Sequence, residues 1–201
     1  MTEGSDPTDA LADAASVLMI APDVRDAPVS AYSGLITNGE TAPDRVVGVT
    51  VGQSPSAWLD AWRRQAGPAG PSLTCVDVES VTRSTTAETG VDQPAATLRT
   101  VADATDLESL GETVTGELAD ADGVDDRVAV CVHSLSDLLE HVGEERAFAF
   151  LCTLGERVRE YDAVVFAHLD ASAHDERTVE VFSAVCDAVV EFDGSVEMRV
   201  R

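Results

Sequence analysis

An unbroken apolar run that passes directly into a capped helix constrains the fold of this chain more than any other feature. Residues Val128–Val132 are all apolar, so a strand here is covered on both faces, as a central strand of a parallel sheet is. Ser134 and Asp137 then form an S-x-x-D capping signal, and apolar residues recur at helical spacing from Leu135. Because both faces of the strand must be covered, we expect helices on both sides of the sheet.

Strand and helix patterns alternate along almost the whole chain. A D-G turn signal at Asp193-Gly194 separates two short strand patterns at the end. This order predicts a three-layer α/β fold with a mainly parallel sheet and a C-terminal β-hairpin. We expect residues 1–14 to be a flexible acidic tail and residues 15–201 to form a single domain. The strands are predicted at 16–21, 45–51, 73–78, 97–101, 128–132, 163–169, 188–192 and 196–200, and the helices at 31–36, 54–67, 105–120, 134–142, 144–161 and 178–186.

Charge excludes several classes of partner. The chain has 37 acidic and 13 basic residues, a net charge of −24, and every basic residue is arginine. Since 44% of the residues are hydrophobic, the acidity belongs on the surface of a folded protein, as in extremely halophilic archaea. No basic patch exists to bind nucleic acid or an anionic membrane, so we expect neither as a partner. The N-terminus lacks a signal peptide pattern, which predicts a cytoplasmic protein.

The four cysteines, Cys75, Cys131, Cys152 and Cys186, are scattered without a C-x-x-C pair. Three of them fall inside apolar segments, which is typical of buried, reduced thiols. The pattern favours neither a disulfide framework nor a cysteine metal site.

Both tryptophans lie on one predicted helix. Trp58 and Trp62 are four residues apart, so they share one face of the segment that begins at Ser54-Pro55. Two tryptophans on one stripe are consistent with an interaction surface, whereas packing against the sheet is the more common use of such a stripe. The sequence favours packing and leaves the interaction surface open.

The densest group of polar residues follows the predicted strand at 163–169. His168, Asp170, His174 and Asp175 have the chemistry of ligands for a divalent metal, and they suggest a metal-dependent hydrolase as an alternative function. His133 ends another strand, and Ser134 follows it at a strand–helix turn, as a nucleophile does in some hydrolases. The glycines that flank such a nucleophile are missing, so we do not expect serine catalysis.

The segment after the first strand does not match a phosphate-binding loop. It reads APDVRDAPVSAYSGLITNG, with no glycine before Gly34 and no lysine. Asp23 and Asp26 would repel a phosphate, and Arg25 without a glycine cradle does not replace the loop. We therefore expect an ordinary loop here.

Three segments together resemble a known group of proteins. They are QSPSAWLDAWRR, VCVHSLSDLLEHVGEERAFAFLCTLGERVR and VVFAHLDASAHDERTVEVFSAVCDAVVEF. The chain is similar to an uncharacterised haloarchaeal family related to RecA-like ATPases of the KaiC and gas-vesicle-regulator type. In those ATPases the central strand ends in an aspartate followed by serine, and the aspartate helps to hold the Mg-bound water. The matching positions here are His133 and Ser134, so the resemblance implies a RecA-like core with degenerate Walker motifs.

The resemblance and the missing phosphate loop lead to one expected function. We expect a noncatalytic RecA-like module with no cofactor, which acts through protein contacts in regulation or signalling and self-associates. A nucleotide-binding protein with a non-standard pocket is a further alternative. The sequence does not name the partner.

Overall fold

The computed structural model describes residues 11, 13–21, 36, 42–67, 70–78, 96–121, 126–192 and 196–200, with Arg199 the only side chain described in the last range. Most of the predicted N-terminal tail, the loop after the first strand and the predicted helix at 31–36 lie outside these residues, although Ile36 itself is helical and buried. The strands are β1 (Ser16–Ile20), β2 (Arg45–Val51), β3 (Ser72–Val78), β4 (Thr97–Val101), β5 (Val128–His133), β6 (Val164–Leu169), β7 (Ala188–Phe192) and β8 (Val196–Val200). The helices are α1 (Pro55–Ala66), α2 (Leu107–Ala119), α3 (Leu135–Val142), α4 (Glu144–Glu160) and α5 (Glu176–Val185).

All eight strands join one sheet in the order β4-β3-β2-β5-β6-β1-β7-β8. Neighbouring strands are parallel from β4 to β7, and β8 pairs antiparallel with β7. The first strand of the chain therefore lies between two strands from its last third. The predicted three-layer α/β fold and the C-terminal strand pair are confirmed.

Two apolar clusters cover the two faces of the sheet. One face packs against α2, α3, α4 and α5, with Val130 and Val165 among the buried strand residues. The other face, called the α1 face here, packs against α1 and Ile36. β5 is buried at all six positions, as its unbroken apolar run predicts. No helix among the described ranges has the length and hydropathy needed to cross a membrane.

Most predicted element bounds agree with the structure, and two predicted helix starts are wrong. The N-cap of α2 is Asp106, whose side chain accepts a hydrogen bond from the Ser109 N–H, whereas Thr105 donates to Asp103 instead of forming a capping box. Helix α5 begins at Glu176 rather than at residue 178, because the Asp175 side chain caps it. Aspartate is one of the strongest N-cap residues, so it displaces the weaker threonine signal.

One aspartate ties the start of β1 to the region before β7. Asp187 Oδ2 accepts hydrogen bonds from the backbone N–H groups of Ala15 and Ser16, at 3.0 and 2.9 Å. The Arg159 guanidinium donates to both Asp187 oxygens, at 2.7 and 2.8 Å. Burial would raise the pKa of the Asp187 carboxyl, but the bonds from Ser16 and Arg159 hold that pKa below its ordinary value.

Candidate functional site

A row of polar side chains crosses the carboxyl end of the sheet on the α1 face. Asp77, Thr50 and His133 occupy one register level on β3, β2 and β5. Val132 is paired with Ala167, so the next residues, His133 and His168, are neighbours on β5 and β6. Ligands of open α/β sheets bind at this end of the strands. We call these four residues the polar row.

The two histidines of the polar row are buried against each other. His133 and His168 are each 2% exposed, and their ring centroids lie 5.5 Å apart. Burial and then the neighbouring His168 lower the pKa of His133 to about 3. His133 is therefore a neutral imidazole at neutral pH. The peptide bond between His133 and Ser134 is cis.

In the other half of the polar row, Thr50 contacts Asp77. Its hydroxyl lies 3.4 Å from Asp77 Oδ1 and 3.6 Å from the sulfur of Cys75, which is buried one level deeper. Burial raises the pKa of the Cys75 thiol to about 12, so the thiol stays protonated and unreactive at neutral pH. Cys131 and Cys186 are also buried and Cys152 is half-buried, and all four cysteines are reduced as predicted.

The serine at the strand–helix turn has a structural role. The Ser134 hydroxyl accepts the Asp137 N–H at 3.0 Å and donates to the Asp137 carboxylate at 2.6 Å, so it caps α3 as predicted. These bonds occupy the hydroxyl that a nucleophilic role would need.

The predicted metal ligands are not gathered at one point. His168 lies in the polar row on the α1 face, whereas Asp170 accepts the Ser172 N–H at 2.8 Å and caps a short 3-10 turn. His174 Nε2 lies 2.9 Å from the Ser136 hydroxyl, and Asp175 caps α5. Within the described ranges, no three His, Cys, Asp or Glu side chains are arranged to hold a metal ion. The structure therefore gives no support to the metal-dependent hydrolase.

The two tryptophans belong to the core. Trp58 and Trp62 are 1% and 0% exposed, and their rings lie 5.7 Å apart. The Trp58 ring lies directly on Gly48 in the middle of β2, where an added Cβ would come within 2.2 Å of it. The hypothesis of an exposed tryptophan stripe is wrong, because helix α1 packs that stripe against the sheet.

Sequence reasoning missed two members of the polar row. Thr50 and Asp77 are each the next-to-last residue of a strand and lie between two apolar residues, at the same level as the histidines. That shared position was a usable signal, since parallel strands end at one edge of the sheet. Sequence reasoning also missed Ser136, whose hydroxyl accepts the Asp170 N–H at 2.9 Å and connects the turns after β5 and β6.

Taken with the fold, this site defines a three-layer α/β protein whose strand ends carry two buried histidines at the usual ligand-binding edge. A search of the curated proteins returned no match. The sequence model of the Family of unknown function (DUF7504) matches residues 14–192, so the chain belongs to that family.

Two solved archaeal structures share the fold at low sequence identity, and a third is less similar. An uncharacterised Pyrococcus horikoshii protein, solved in complex with an unknown peptide, is 11% identical, with a TM-score of 0.57 over 92% of this chain and 83% of that chain. A second Pyrococcus horikoshii protein, the subject of a structural study, is 11% identical, with a TM-score of 0.54 over 91% and 84% of the two chains. The flagellar accessory protein FlaH from Methanocaldococcus jannaschii is 9% identical, and its TM-score is only 0.47 over 92% and 75%. At these identities the first two comparisons show the fold alone.

Proposed function

We propose that this protein is a noncatalytic RecA-like module of a halophilic archaeon, and that it regulates or signals through contacts with other proteins. The observation that carries the proposal is the chemistry at the end of β5. In the ATPases that the sequence resembles, an aspartate at this position helps to order a magnesium ion. Here the position is occupied by His133, which is buried and has a pKa of about 3.

The donor chemistry of the polar row does not suit magnesium. Mg²⁺ prefers oxygen ligands in octahedral geometry, whereas neutral imidazole suits zinc, copper or iron. The one carboxylate of the polar row, Asp77, lies two strands away from His133 and close to Thr50. The sequence after β1 also lacks the glycines and the lysine that position phosphates. Both features favour a role without phosphoryl transfer.

One comparison supports a polypeptide as the kind of partner. The Pyrococcus horikoshii protein with the same fold was solved in complex with an unknown peptide. That finding concerns the other protein, and it makes a protein partner a reasonable proposal for this one.

Calorimetry with Mg-ATP in molar KCl, together with a phosphate-release assay, tests the proposal. We expect no saturable heat, because the glycines and the lysine that would hold the phosphates are missing after β1. We also expect no phosphate release above background, because each missing charge contact costs about 2 to 4 kcal/mol of transition-state stabilisation. His133→Asp is the matched variant, since it restores the carboxylate without the phosphate loop. It should also remain inactive.

Saturable micromolar binding by the wild-type protein would contradict the proposal. If Arg25→Ala then abolished that binding, an arginine would have replaced the missing lysine, and the protein would be a nucleotide-binding protein with a non-standard pocket. Thermal melts of every variant confirm that a negative result comes from folded protein.

A further inference from the structure

Strand β4 forms one edge of the sheet and exposes most of its side chains. It pairs with β3, and no other described strand pairs with it. Residues 97–100 are all exposed, and Leu98 is 44% exposed on the α1 face. No other large hydrophobic side chain within the described ranges is this exposed. An exposed edge strand that carries an exposed apolar residue is a template for pairing with another strand.

Although β4 is short, this edge lacks several of the features that protect edge strands. The sequence of β4, TLRTV, contains no proline and no glycine, and it is rich in residues that favour strands. Its one charged residue is Arg99, whose Nε donates to the Glu117 carboxylate of α2 at 2.7 Å. That ion pair draws the guanidinium toward the helix face of the sheet, away from the face of Leu98.

The low negative charge near β4 makes a second copy of this chain a suitable partner for this edge. The net charge of −24 opposes contact between two copies over most of the surface. Residues 94–101, PAATLRTV, contain no carboxylate and one arginine. Two β4 edges therefore approach each other with less repulsion than acidic parts of the surface do, and molar salt screens the remainder.

Two-fold symmetry and the cover of the exposed Leu98 together select a register. A two-fold axis normal to the sheet makes the two β4 strands antiparallel and keeps both α1 faces on the same side. Centred on Leu98, this pairing places Leu98 opposite Leu98 of the second copy and Thr97 opposite Arg99. The apolar side chains then cover each other, and the two Arg99 side chains do not face each other.

We propose that two copies of this protein associate through their β4 edges, with Leu98 at the two-fold axis and one continuous sheet across the dimer. The proposal deepens the proposed function, because it names one protein contact and its occupant. It rests on the proposed function only in assuming that the protein acts through contacts with other proteins. Its test measures association and is independent of the ATP assays.

Cysteine crosslinking tests the register. In the proposed dimer the Cα atoms of residue 98 lie about 4.5–5.5 Å apart, within the range of a disulfide. Leu98→Cys should therefore form a covalent dimer on mild oxidation in molar KCl. Thr100→Cys is the matched control, on the same face of the same strand. Its two copies lie about 14 Å apart in this register, so it should give roughly a tenth as much covalent dimer or less.

Sedimentation across a dilution series tests the contact without crosslinking. The wild-type protein should dimerise, Leu98→Asp should be monomeric, and Ala149→Asp, which adds the same charge on the exposed surface of α4, should dimerise like the wild type. A monomeric wild type would overturn the proposal, as would a Leu98→Asp variant that still dimerises. Equal crosslinking of Leu98→Cys and Thr100→Cys would overturn the proposed register.

Discussion

Gly48 is the position on β2 where the absence of a side chain lets helix α1 pack on the sheet. The Trp58 ring occupies the space above Gly48, and a Cβ there would meet three ring atoms at 2.2 to 2.6 Å. Trp58 is 1% exposed, so its ring has little room to move. We predict that Gly48→Ala lowers the free energy of unfolding by about 1–3 kcal/mol, as overpacking of a core does.

Gly116 in α2 provides the matched control, since nothing lies within 4 Å of a Cβ added there. Gly116→Ala should raise the free energy of unfolding by about 0.5–1 kcal/mol, because alanine favours a helix more than glycine does. Urea denaturation of both variants at constant high salt provides the measurement. Equal stabilities of Gly48→Ala and the wild type would show that α1 moves away from the sheet at little cost.

The sequence predicted the face on which a side chain lies where helix or strand periodicity determines it. It predicted less well the contacts that depend on a residue from another element. The spacing of Trp58 and Trp62 placed them on one face of a helix, but it did not reveal Gly48, the position that seats Trp58 on the sheet. Side chains alternate along a strand, so His168 lies on the α1 face, like Phe166 two residues earlier. Asp170 and His174 follow the end of the strand, where the Asp170 N–H and His174 Nε2 form hydrogen bonds with the Ser136 hydroxyl. Sequence proximity therefore suggested a cluster that the backbone separates.

At the scale of elements, two serine N-caps offer a direct comparison. Ser134 caps α3 through its side chain, whereas Ser54 precedes α1 and makes no side-chain capping bond. We predict that Ser134→Ala lowers the free energy of unfolding by about 1 kcal/mol, the usual value of a capping bond. Ser54→Ala should change it much less. Denaturation curves of the two variants measure the difference, and equal losses would mean that the bond to Asp137 does not contribute.

Strand and helix positions followed from periodicity, and strand order did not. The apolar run of β5 requires cover on both faces, which predicted a central strand and the three layers. Nothing local places β1 between β6 and β7, because that choice depends on pairing between residues about 150 positions apart, as for Ser16 and Val165. The polar row depends on the same pairing, so only its individual members were visible in the sequence.

For the whole molecule, the charge of −24 predicts a stability that depends on salt. In about 1 M KCl the Debye length is about 3 Å, and it lengthens to about 10 Å at 0.1 M, where surface carboxylates repel one another. We expect the melting temperature to fall markedly, or the protein to unfold, on dialysis between these conditions. Thermal melts across a KCl series measure the effect.

Sucrose provides the control for that series. It stabilises proteins by exclusion from their surface but does not screen charge. Sucrose in low salt should therefore restore less stability than KCl does. A melting temperature independent of KCl would mean that local ion pairs, such as Arg45 with Asp126 at 2.7 Å, and the spacing of the remaining carboxylates already keep their repulsion too weak to affect stability.

The position of β1 has a consequence for the order in which the protein is made. The ribosome releases β1 before β2 to β5, yet both of its neighbours, β6 and β7, emerge only after those four strands, as does Asp187, which holds its first residues. The nascent chain must carry an apolar strand without its partners while β2 to β5 are translated. Completion of the sheet around β1 therefore waits for β6 and β7, and a chain that stalls before Asp187 leaves β1 exposed to chaperones and proteases.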